Sequence, residues 1–363
     1  MSPTLSWSIH AVAIAALLAC SDSPTSPSPI QVLPTEGVEG FAAELDALRV
    51  GLGIPGMAAA IVHDERVVWS RGLGYADADA QRPATPTTPF HLASLTKPFA
   101  STVVMRLVEE GLIDLDAPVS DYGVSLPGAS GILVRHLMTH TSEGVPGSSY
   151  SYNGNRFGSL DRVILSASGR TFAELVVERV LAPLGLRHTA PNPLDPAAFG
   201  ETDLNRDAFL ADMSKGYEPS GAAVVGREHP SIFSTAAGMV ASVEDMAAFS
   251  IAIDQGRFLE PATWEQVFTP ATSNNGATLP YGLGWFVFEH QGVTFQWHYG
   301  WWTTNSSLIV RAPEQGLTFV VVANSPRLSS AYGLGGDANV MRSDVARLFI
   351  DAFVFGDEPL PQE

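Results

Sequence analysis

The chain has 363 residues, of which 45% are hydrophobic and 16% are charged. A chain of this length and apolar content can bury a large core, which excludes general disorder and predicts one large domain or two interleaved subdomains. The 20 Lys and Arg residues are outnumbered by 38 Asp and Glu residues, which gives a formal net charge of −18. This charge repels a phosphate backbone, so we expect no nucleic-acid partner.

The first residues resemble an export signal. Residues 7–19 form an apolar run of signal-peptide length that is too short to span a bilayer comfortably. The segment from Leu17 to Cys20 resembles a bacterial lipobox, in which the cysteine is lipidated after cleavage, although no Lys or Arg precedes Arg49. We expect an exported protein, periplasmic or at the cell surface, tethered to the membrane through Cys20, with a simple cleaved signal as the alternative. Cys20 is the only cysteine, which excludes an intrachain disulfide.

The predicted elements begin after a Ser-, Pro- and Thr-rich tether over residues 21–36. Apolar spacing predicts a first helix over 38–50 and a β-hairpin with strands over 57–63 and 67–74. A second helix is predicted over 94–110, because its apolar residues share one face and Gly111 ends it. The folded domain is therefore expected to start near residue 37.

The middle of the chain, about 114–282, is rich in loops and short helices, and strands follow it. The clearest later elements are helices over 162–184 and 243–255, strands over 285–289, 293–297, 306–311 and 317–323, and a closing helix over 339–353. A hairpin near one end of the chain and a meander near the other predict one antiparallel sheet with flanking helices. The fold class is thus α+β, an α/β/α sandwich over 37–356 with a mainly helical insert over 114–282, and a tail over 357–363. A cleft between insert and sheet is the expected ligand site.

Lysine is unusually scarce in this chain. Of the 20 Lys and Arg residues only two are lysines, Lys97 and Lys215, which leaves 18 arginines. A desolvated lysine can act as a base near neutral pH, whereas an arginine keeps its proton. Ser94 lies three residues before Lys97, so both side chains share one face of the predicted helix. In this arrangement Lys97 could activate Ser94 as a nucleophile. The alternative is that Ser94 only caps the helix and Lys97 is a solvated charge.

The surrounding residues, 89–99, read PFHLASLTKPF. They resemble the active-site motif of the β-lactamase-related serine hydrolases, which include class C β-lactamases, D-Ala-D-Ala peptidases and esterases of the same fold. Further segments resemble this family in its usual order, at 111–119, 134–142, 183–186, 281–285 and 298–300. The resemblance implies that Ser94 is the nucleophile and Lys97 its base, and it supports the sheet described above.

The second motif of this family is Tyr-x-Asn, and the match to it is imperfect. Alignment places Tyr152 on the tyrosine but Gly154 where Asn is usual, with Tyr150 as the other candidate tyrosine. The resemblance implies that this tyrosine helps to move a proton to the leaving group. Asn153 and Asn155 are the candidates for the missing substrate-binding amide. The alternative is an aromatic ring packed between the two subdomains.

The third motif is Lys/His-x-Gly, which His298 to Gly300 matches. The resemblance implies that His298 acts near the tyrosine and the anionic end of the substrate, and that Gly300 keeps the strand close to the ligand. It also implies an oxyanion hole built from the N–H groups of Ser94 and Trp301, with Trp302 narrowing the rim. The alternative for His298 is a packed core side chain.

Competing chemistries find little support. His136 and His140 have the i, i+4 spacing of a zinc pair but lack the adjacent Glu of a metallopeptidase, and no Gly-x-Ser-x-Gly elbow or phosphate loop occurs. We therefore expect no metal and no cofactor.

The favoured function is cleavage of a small-molecule or peptide acyl substrate through an acyl-enzyme, by an esterase or a D-Ala-D-Ala peptidase. A β-lactamase is one alternative, and a binding or scaffolding protein with a decayed site is the other.

Overall fold

The computed structural model describes Met1 and residues 37–356 apart from Ala222. The predicted lipobox with Cys20, the tether and the tail lie outside the described residues. The strands are β1 (Gly56–His63), β2 (Arg66–Asp77), β3 (Arg82–Pro83), β4 (Phe90–His91), β5 (Thr189–Pro191), β6 (Gly216–Ser220), β7 (Ala223–Arg227), β8 (Met239–Ala241), β9 (Phe286–His290), β10 (Val293–Trp301), β11 (Ser306–Ala312) and β12 (Leu317–Ala323).

The α-helices are numbered in the same way. They are α1 (Gly37–Gly51), α2 (Lys97–Glu109), α3 (Val134–Met138), α4 (Gly154–Gly158), α5 (Leu160–Ser168), α6 (Phe172–Val176), α7 (Ala182–Leu184), α8 (Pro196–Phe199), α9 (Arg206–Asp212), α10 (Val243–Asp254), α11 (Pro261–Phe268), α12 (Arg327–Ser330), α13 (Leu334–Asp337) and α14 (Asp344–Phe349). Within the described part of the chain, no helix is both long and apolar enough to cross a membrane.

One antiparallel sheet dominates the fold, with strand order β3-β2-β1-β12-β11-β10-β9. Strand β1 pairs with β12 from Met57 opposite Ala323 to His63 opposite Leu317, so the two ends of the sequence meet at the centre of the sheet. Strands β1 and β2 are joined at Asp64 and Glu65, whose φ angles of 47° and 60° suit a type I′ turn. The predicted hairpin, meander and shared sheet are confirmed.

Helices cover both faces of the sheet. On one face, Phe319 of β12 lies between Phe41 of α1, at 5.7 Å, and Phe349 of α14, at 5.0 Å between ring centroids. On the other face, Phe99 of α2 stacks on Phe249 of α10 at 4.2 Å. Alternate residues of β1 join the two apolar clusters, because successive side chains of a strand point to opposite faces. The predicted α/β/α sandwich is confirmed.

The structure corrects several predicted helices. The helix predicted over 94–110 begins as a 3₁₀ turn over Ala93–Thr96, here called the serine turn, which leads into α2. The helix predicted over 162–184 is broken, because Gly169 adopts a left-handed conformation that ends α5 and Thr171 caps a new helix, α6. The closing helix is likewise a 3₁₀ turn, α14 and a π-helical turn.

Two small sheets were not predicted, one with the order β4-β8-β5 and one formed by β6 and β7. The strands of the first are only two or three residues long, too short to show a periodic pattern in the sequence. The first sheet matters for function, because its strand β4 leads directly into the serine turn. The limits of the predicted helical insert stay a prediction.

Candidate active site

The serine turn holds Ser94 between β4 and α2. Ala93, directly before it, has a φ of 50°, in the left-handed region that side chains with a Cβ disfavour. Thr96 braces the turn, because its hydroxyl donates to the Ala93 carbonyl at 2.7 Å and accepts the Met239 N–H at 2.9 Å. The side chain of Ser94 does not cap α2; the cap residue of α2 is Thr96. Ser94 is thus held in a braced turn, and its side chain is not used as a helix cap.

Lys97 is the first residue of α2 and is fully buried. Its Nζ lies 3.0 Å from Ser94 Oγ and donates to the Ala236 carbonyl at 2.9 Å. Burial disfavours the charged amine and lowers the pKa of Lys97 to about 7. A neutral amine that donates one N–H to Ala236 has a lone pair free to accept the Ser94 proton. The predicted pair is therefore in contact, and a substantial fraction of the Lys97 amine is neutral near pH 7.

Tyr152 is the tyrosine that lies beside this pair. Lys97 Nζ sits 4.9 Å from the centre of the Tyr152 ring. Burial, reinforced by Tyr299, raises the Tyr152 pKa well above its ordinary value, and the nearby Ser94 hydroxyl only partly offsets this. The buried Tyr152 hydroxyl makes no hydrogen bond of ordinary geometry within the described residues. Tyr152 is therefore a neutral phenol, which leaves Lys97 as the candidate base for Ser94.

Tyr150, the other candidate tyrosine, occupies a different environment. Its ring packs against Tyr281 at 6.1 Å and against Phe286 at 6.2 Å between centroids. Burial raises the pKa of Tyr150 as well. The contact with Lys97 and the influence of Ser94 on the phenol pKa both belong to Tyr152, which makes it the better candidate.

His298 is fully buried on β10 and uses both ring nitrogens inside the protein. Its Nδ1 donates to the Tyr299 carbonyl at 2.7 Å, and because a carbonyl only accepts, the proton must be on Nδ1. Its Nε2 then accepts the Tyr281 hydroxyl at 2.8 Å. Burial and the nearby Lys97 lower the His298 pKa well below its ordinary value. The structure thus places the His298 ring 6.3 Å from the Tyr152 ring between centroids but bonds His298 to Tyr281, so neither ring nitrogen is left free for the anionic end of a substrate.

Gly300 is required by a close approach of two backbones. A Cβ at this position would lie 1.9 Å from the Leu92 carbonyl oxygen and 2.3 Å from Ser307 Oγ. Any side chain would therefore push β10 away from the residues that lead into the serine turn. This geometry agrees with the predicted role of Gly300 in keeping the strand close to the site.

Trp301 is the last residue of β10, beyond the part of the strand that pairs with β9. The Trp302 N–H donates to the Asn305 carbonyl, so in an antiparallel ladder the next pair, Trp301 and Ser306, exchanges no hydrogen bond. The Trp301 N–H points instead toward the side of β9, which pairs with β10 only as far as Trp297. The side chains of Trp301 and Trp302 are 51% and 36% exposed, as expected for a rim.

The two candidate amides differ. Asn153 caps α4, because its Oδ1 accepts the Arg156 N–H at 3.0 Å, and its Nδ2 donates to Glu143 at 2.7 Å. Its side chain is therefore committed to local structure, which argues against the predicted substrate contact. Asn155 is exposed on α4 and is the remaining candidate.

Sequence reasoning missed two partners of the site. The Ala236 carbonyl that orients Lys97 is a backbone group, to which no side-chain motif points. Tyr281 lies in a segment that was matched to the family, but that match gave it no role.

His136 and His140, which have the spacing of a zinc pair, both accept hydrogen bonds from the backbone. His136 Nδ1 accepts the Leu133 N–H, and His140 Nδ1 accepts the Asn153 N–H.

Residues 41–335 match the protein-family model described as Beta-lactamase. This match covers most of the chain. The chain belongs to the β-lactamase family. The resemblance drawn from the sequence motifs is thereby confirmed.

Two named relatives of this β-lactamase-family protein resemble it over about two thirds of its length. A D-aminopeptidase of Brucella canis is 29% identical over 273 residues, which cover 66% of this chain and 50% of that protein. Penicillin-binding protein 4* of Bacillus subtilis is 25% identical over 308 residues, which cover 71% of this chain and 65% of that protein. The chain therefore spans less than two thirds of the length of either relative.

Solved structures share the fold. A penicillin-binding protein homologue from Pyrococcus abyssi has a TM-score of 0.74 at 21% identity, covering 89% of this chain and 79% of its own. The D-amino acid amidase of Ochrobactrum anthropi has a TM-score of 0.67 at 22% identity, covering 79% of this chain and 92% of its own. At these identities the likeness shows the fold alone, and that fold is the one predicted from the sequence.

Proposed function

We propose that this protein is a serine hydrolase that cleaves an amide, peptide or ester bond through an acyl-enzyme on Ser94. The observation that carries the proposal is the 3.0 Å contact between Ser94 Oγ and the buried Lys97 Nζ, whose pKa is lowered to about 7. A serine hydroxyl becomes a useful nucleophile only beside a group that takes its proton. Membership of the β-lactamase family supports the same conclusion.

The acylation step follows from the positions of these groups. Neutral Lys97 takes the Ser94 proton as Oγ bonds to the substrate carbonyl carbon, and the N–H groups of Ser94 and Trp301 hold the oxyanion. The tetrahedral intermediate collapses when the leaving group departs with a proton from the Tyr152 phenol. Tyr152 regains its proton from the charged Lys97, which returns the base to its neutral form. Water then repeats the sequence on the acyl-enzyme and releases the acid.

The relatives and His298 together bear on the substrate class. Proteins named D-aminopeptidase and D-amino acid amidase support an amide or a peptide as the substrate. His298 is neutral and both its nitrogens are occupied, so it offers no cation to a carboxylate such as that of a β-lactam or a D-Ala-D-Ala terminus. We therefore rank amino-acid amides, peptides with a free amino end and simple esters above β-lactams.

Active-site labelling tests this proposal. The purified protein and Ser94→Ala are incubated with a fluorophosphonate, a penicillin, D- and L-amino acid amides and p-nitrophenyl acetate, and adducts are located by peptide mapping. We expect a fluorophosphonate adduct on Ser94 and turnover of an amide or the ester, both of them lost in Ser94→Ala. An adduct that persists in Ser94→Ala would exclude the assigned nucleophile. Absence of any adduct and turnover would favour a binding protein on the same fold.

We also propose export, with Cys20 as the lipid anchor. The proposal is supported by the apolar run before Cys20 and by the lipobox-like residues that end it. Fractionation of a bacterial host should place the full chain in the membrane fraction and Cys20→Ser in the soluble envelope fraction. Equal distribution of the two would exclude the anchor.

A further inference from the structure

We propose that His91 is a positioning residue for Ser94. Its neutral Nδ1 holds Ala93 in the left-handed conformation and so sets Ser94 Oγ beside Lys97. This inference rests on the proposed function, because it concerns how the nucleophile is placed. His91 is the last residue of β4 and is fully buried.

The contact that carries the inference is local. His91 Nδ1 accepts the Ala93 N–H at 3.1 Å, which closes a ring from a side chain to the backbone two residues on. Asn and Asp side chains close the same ring in Asx turns, which tolerate unusual backbone angles. Ala93 has a φ of 50°, a conformation that a residue with a Cβ adopts only when its surroundings impose it. The hydrogen bond from Ala93 to His91 is such a constraint, one residue before the nucleophile.

The remaining contacts of the His91 ring narrow its role. Because Nδ1 accepts, the proton is on Nε2, which is buried and has no hydrogen-bond partner within the described residues. The ring stacks on His229 at 5.5 Å between centroids, and His229 is itself tied to Thr304 and to the Ser214 carbonyl. A buried N–H without a partner opposes folding. Any stabilisation of the fold by a hydrogen bond of the His91 ring must therefore come from its bond to the Ala93 N–H.

Neighbouring bonds fix the chain on either side of this point. The His91 carbonyl accepts Asn305 Nδ2 at 2.8 Å, and the Leu92 carbonyl accepts Ser307 Oγ at 2.7 Å. These bonds tie the chain to β11 and to the loop before it, whereas Ala93 itself is held at its N–H by His91 and at its carbonyl by Thr96. The direction in which Ser94 leaves the strand thus depends on the His91 bond to the Ala93 N–H together with the Thr96 bond to the Ala93 carbonyl.

Four variants test the proposal. His91→Leu keeps the bulk but removes the acceptor, whereas His91→Asn keeps an acceptor able to reach the Ala93 N–H. Ala93→Gly removes the steric cost of the left-handed conformation, and it is combined with His91→Leu. His229→Leu is the matched control, because it removes the stacked ring but leaves the bond between His91 and Ala93. For each variant we would measure the acylation rate of Ser94 by a fluorophosphonate, kcat and KM on an ester, and the melting temperature.

We expect His91→Leu to lower the acylation rate and kcat by about 10- to 100-fold with little change in KM, since small misplacements of a reacting group cost up to roughly that much. His91→Asn should retain most of the rate, His229→Leu should lose less than His91→Leu, and the double variant His91→Leu, Ala93→Gly should recover much of the loss. If His91→Leu does not fold, His91→Ala takes its place in the same comparison.

The proposal would be overturned by either of two results. One is an equal loss of acylation rate in His91→Leu and His91→Asn. The other is a lower melting temperature of His91→Leu with an unchanged rate, which would make His91 a packing residue. A parent protein that is not labelled at Ser94 would instead exclude the proposed function, so the two failures are distinct.

Discussion

The two lysines of the chain occupy opposite environments. Lys97 is fully buried beside Ser94, and burial lowers its pKa to about 7. The Lys215 side chain is 38% exposed beside Asp79, with which it forms an ion pair, and this partner raises its pKa. The same side chain thus titrates near neutral pH in one region and stays a cation in the other. The surroundings, and not the residue type, decide which lysine can do chemistry.

The largest effect should come from replacing each lysine by arginine. Lys97→Arg replaces an amine that can lose its proton near neutral pH by a guanidinium that stays charged, so we expect kcat/KM on an ester or amide to fall by at least about 1,000-fold. Lys215→Arg should leave kcat/KM unchanged, because its ion pair with Asp79 needs only a cation. Steady-state kinetics of both variants provide the measurement. If kcat/KM of Lys97→Arg stays within tenfold of the parent, Lys97 is not needed as a base.

The pH dependence of acylation should also separate the two lysines. Lys97 must be neutral to accept the Ser94 proton, so the acylation rate should rise about tenfold per pH unit below 7 and level off above it. Lys215→Arg should show the same profile, because Lys215 stays charged throughout. Fluorophosphonate labelling rates between pH 5 and 9 give the profile, and a flat profile would show that Lys97 is not the titrating base.

Burial of Lys97 should make the protein less stable at and below neutral pH than in mild alkali. Lys97 has its ordinary pKa of 10.5 in the unfolded chain and about 7 in the folded one. Between these values the unfolded chain binds a proton that the folded chain does not, so the contribution of Lys97 to stability rises with pH. The free-energy cost of burying Lys97 has its full value below pH 7 and falls to zero toward pH 10.5. At about 1.4 kcal/mol per pKa unit, the shift from 10.5 to about 7 sets an upper bound of about 5 kcal/mol on this cost.

Lys97→Met should therefore stabilise the fold while abolishing activity. We expect a net gain of about 2 kcal/mol at pH 6, because the variant also leaves the Ala236 carbonyl without its donor. The gain should shrink at pH 9. Urea unfolding at the two pH values measures it, with Lys215→Met as the control whose effect should not follow this trend. A variant less stable than the parent at pH 6 would mean that Lys97 contributes to the fold despite its burial.

The sequence was informative wherever a pattern is local. The turn at Asp64 and Glu65 and the alternation along β1 and β2 are short-range features, so the hairpin could be predicted. The scarcity of lysine singles out Lys97 from composition alone. The Ala236 carbonyl could not be found in this way, because it lies 139 residues from Lys97 and is a backbone group.

Partnerships between side chains were equally hidden. His298 and Tyr281 are 17 residues apart, and their hydrogen bond depends on how β10 and the segment before β9 fold together. The resemblance implied that His298 acts near Tyr152 and the substrate. The fold places its ring 6.3 Å from that of Tyr152, but its hydrogen bond goes to Tyr281. The imperfect second motif had a similar outcome, since the side chain of Asn153 is used as a helix cap. Residue types were predictable here, but their partners required the fold.

The smallest effect should come from Tyr281, which tests whether burial alone sets the pKa of Lys97. Tyr281→Phe removes the hydroxyl that donates to His298 Nε2 and leaves that buried nitrogen without a partner. Since one such loss costs about 1–3 kcal/mol, the melting temperature should fall, while kcat should fall by less than about tenfold. His298 stays neutral because burial still opposes its charge, so the pH at which acylation reaches half its maximum should stay near 7. If this midpoint shifts clearly in Tyr281→Phe but not in Lys215→Arg, the bond between Tyr281 and His298 helps to set the pKa of Lys97. The different pKa values of the two lysines would then depend on more than their exposure.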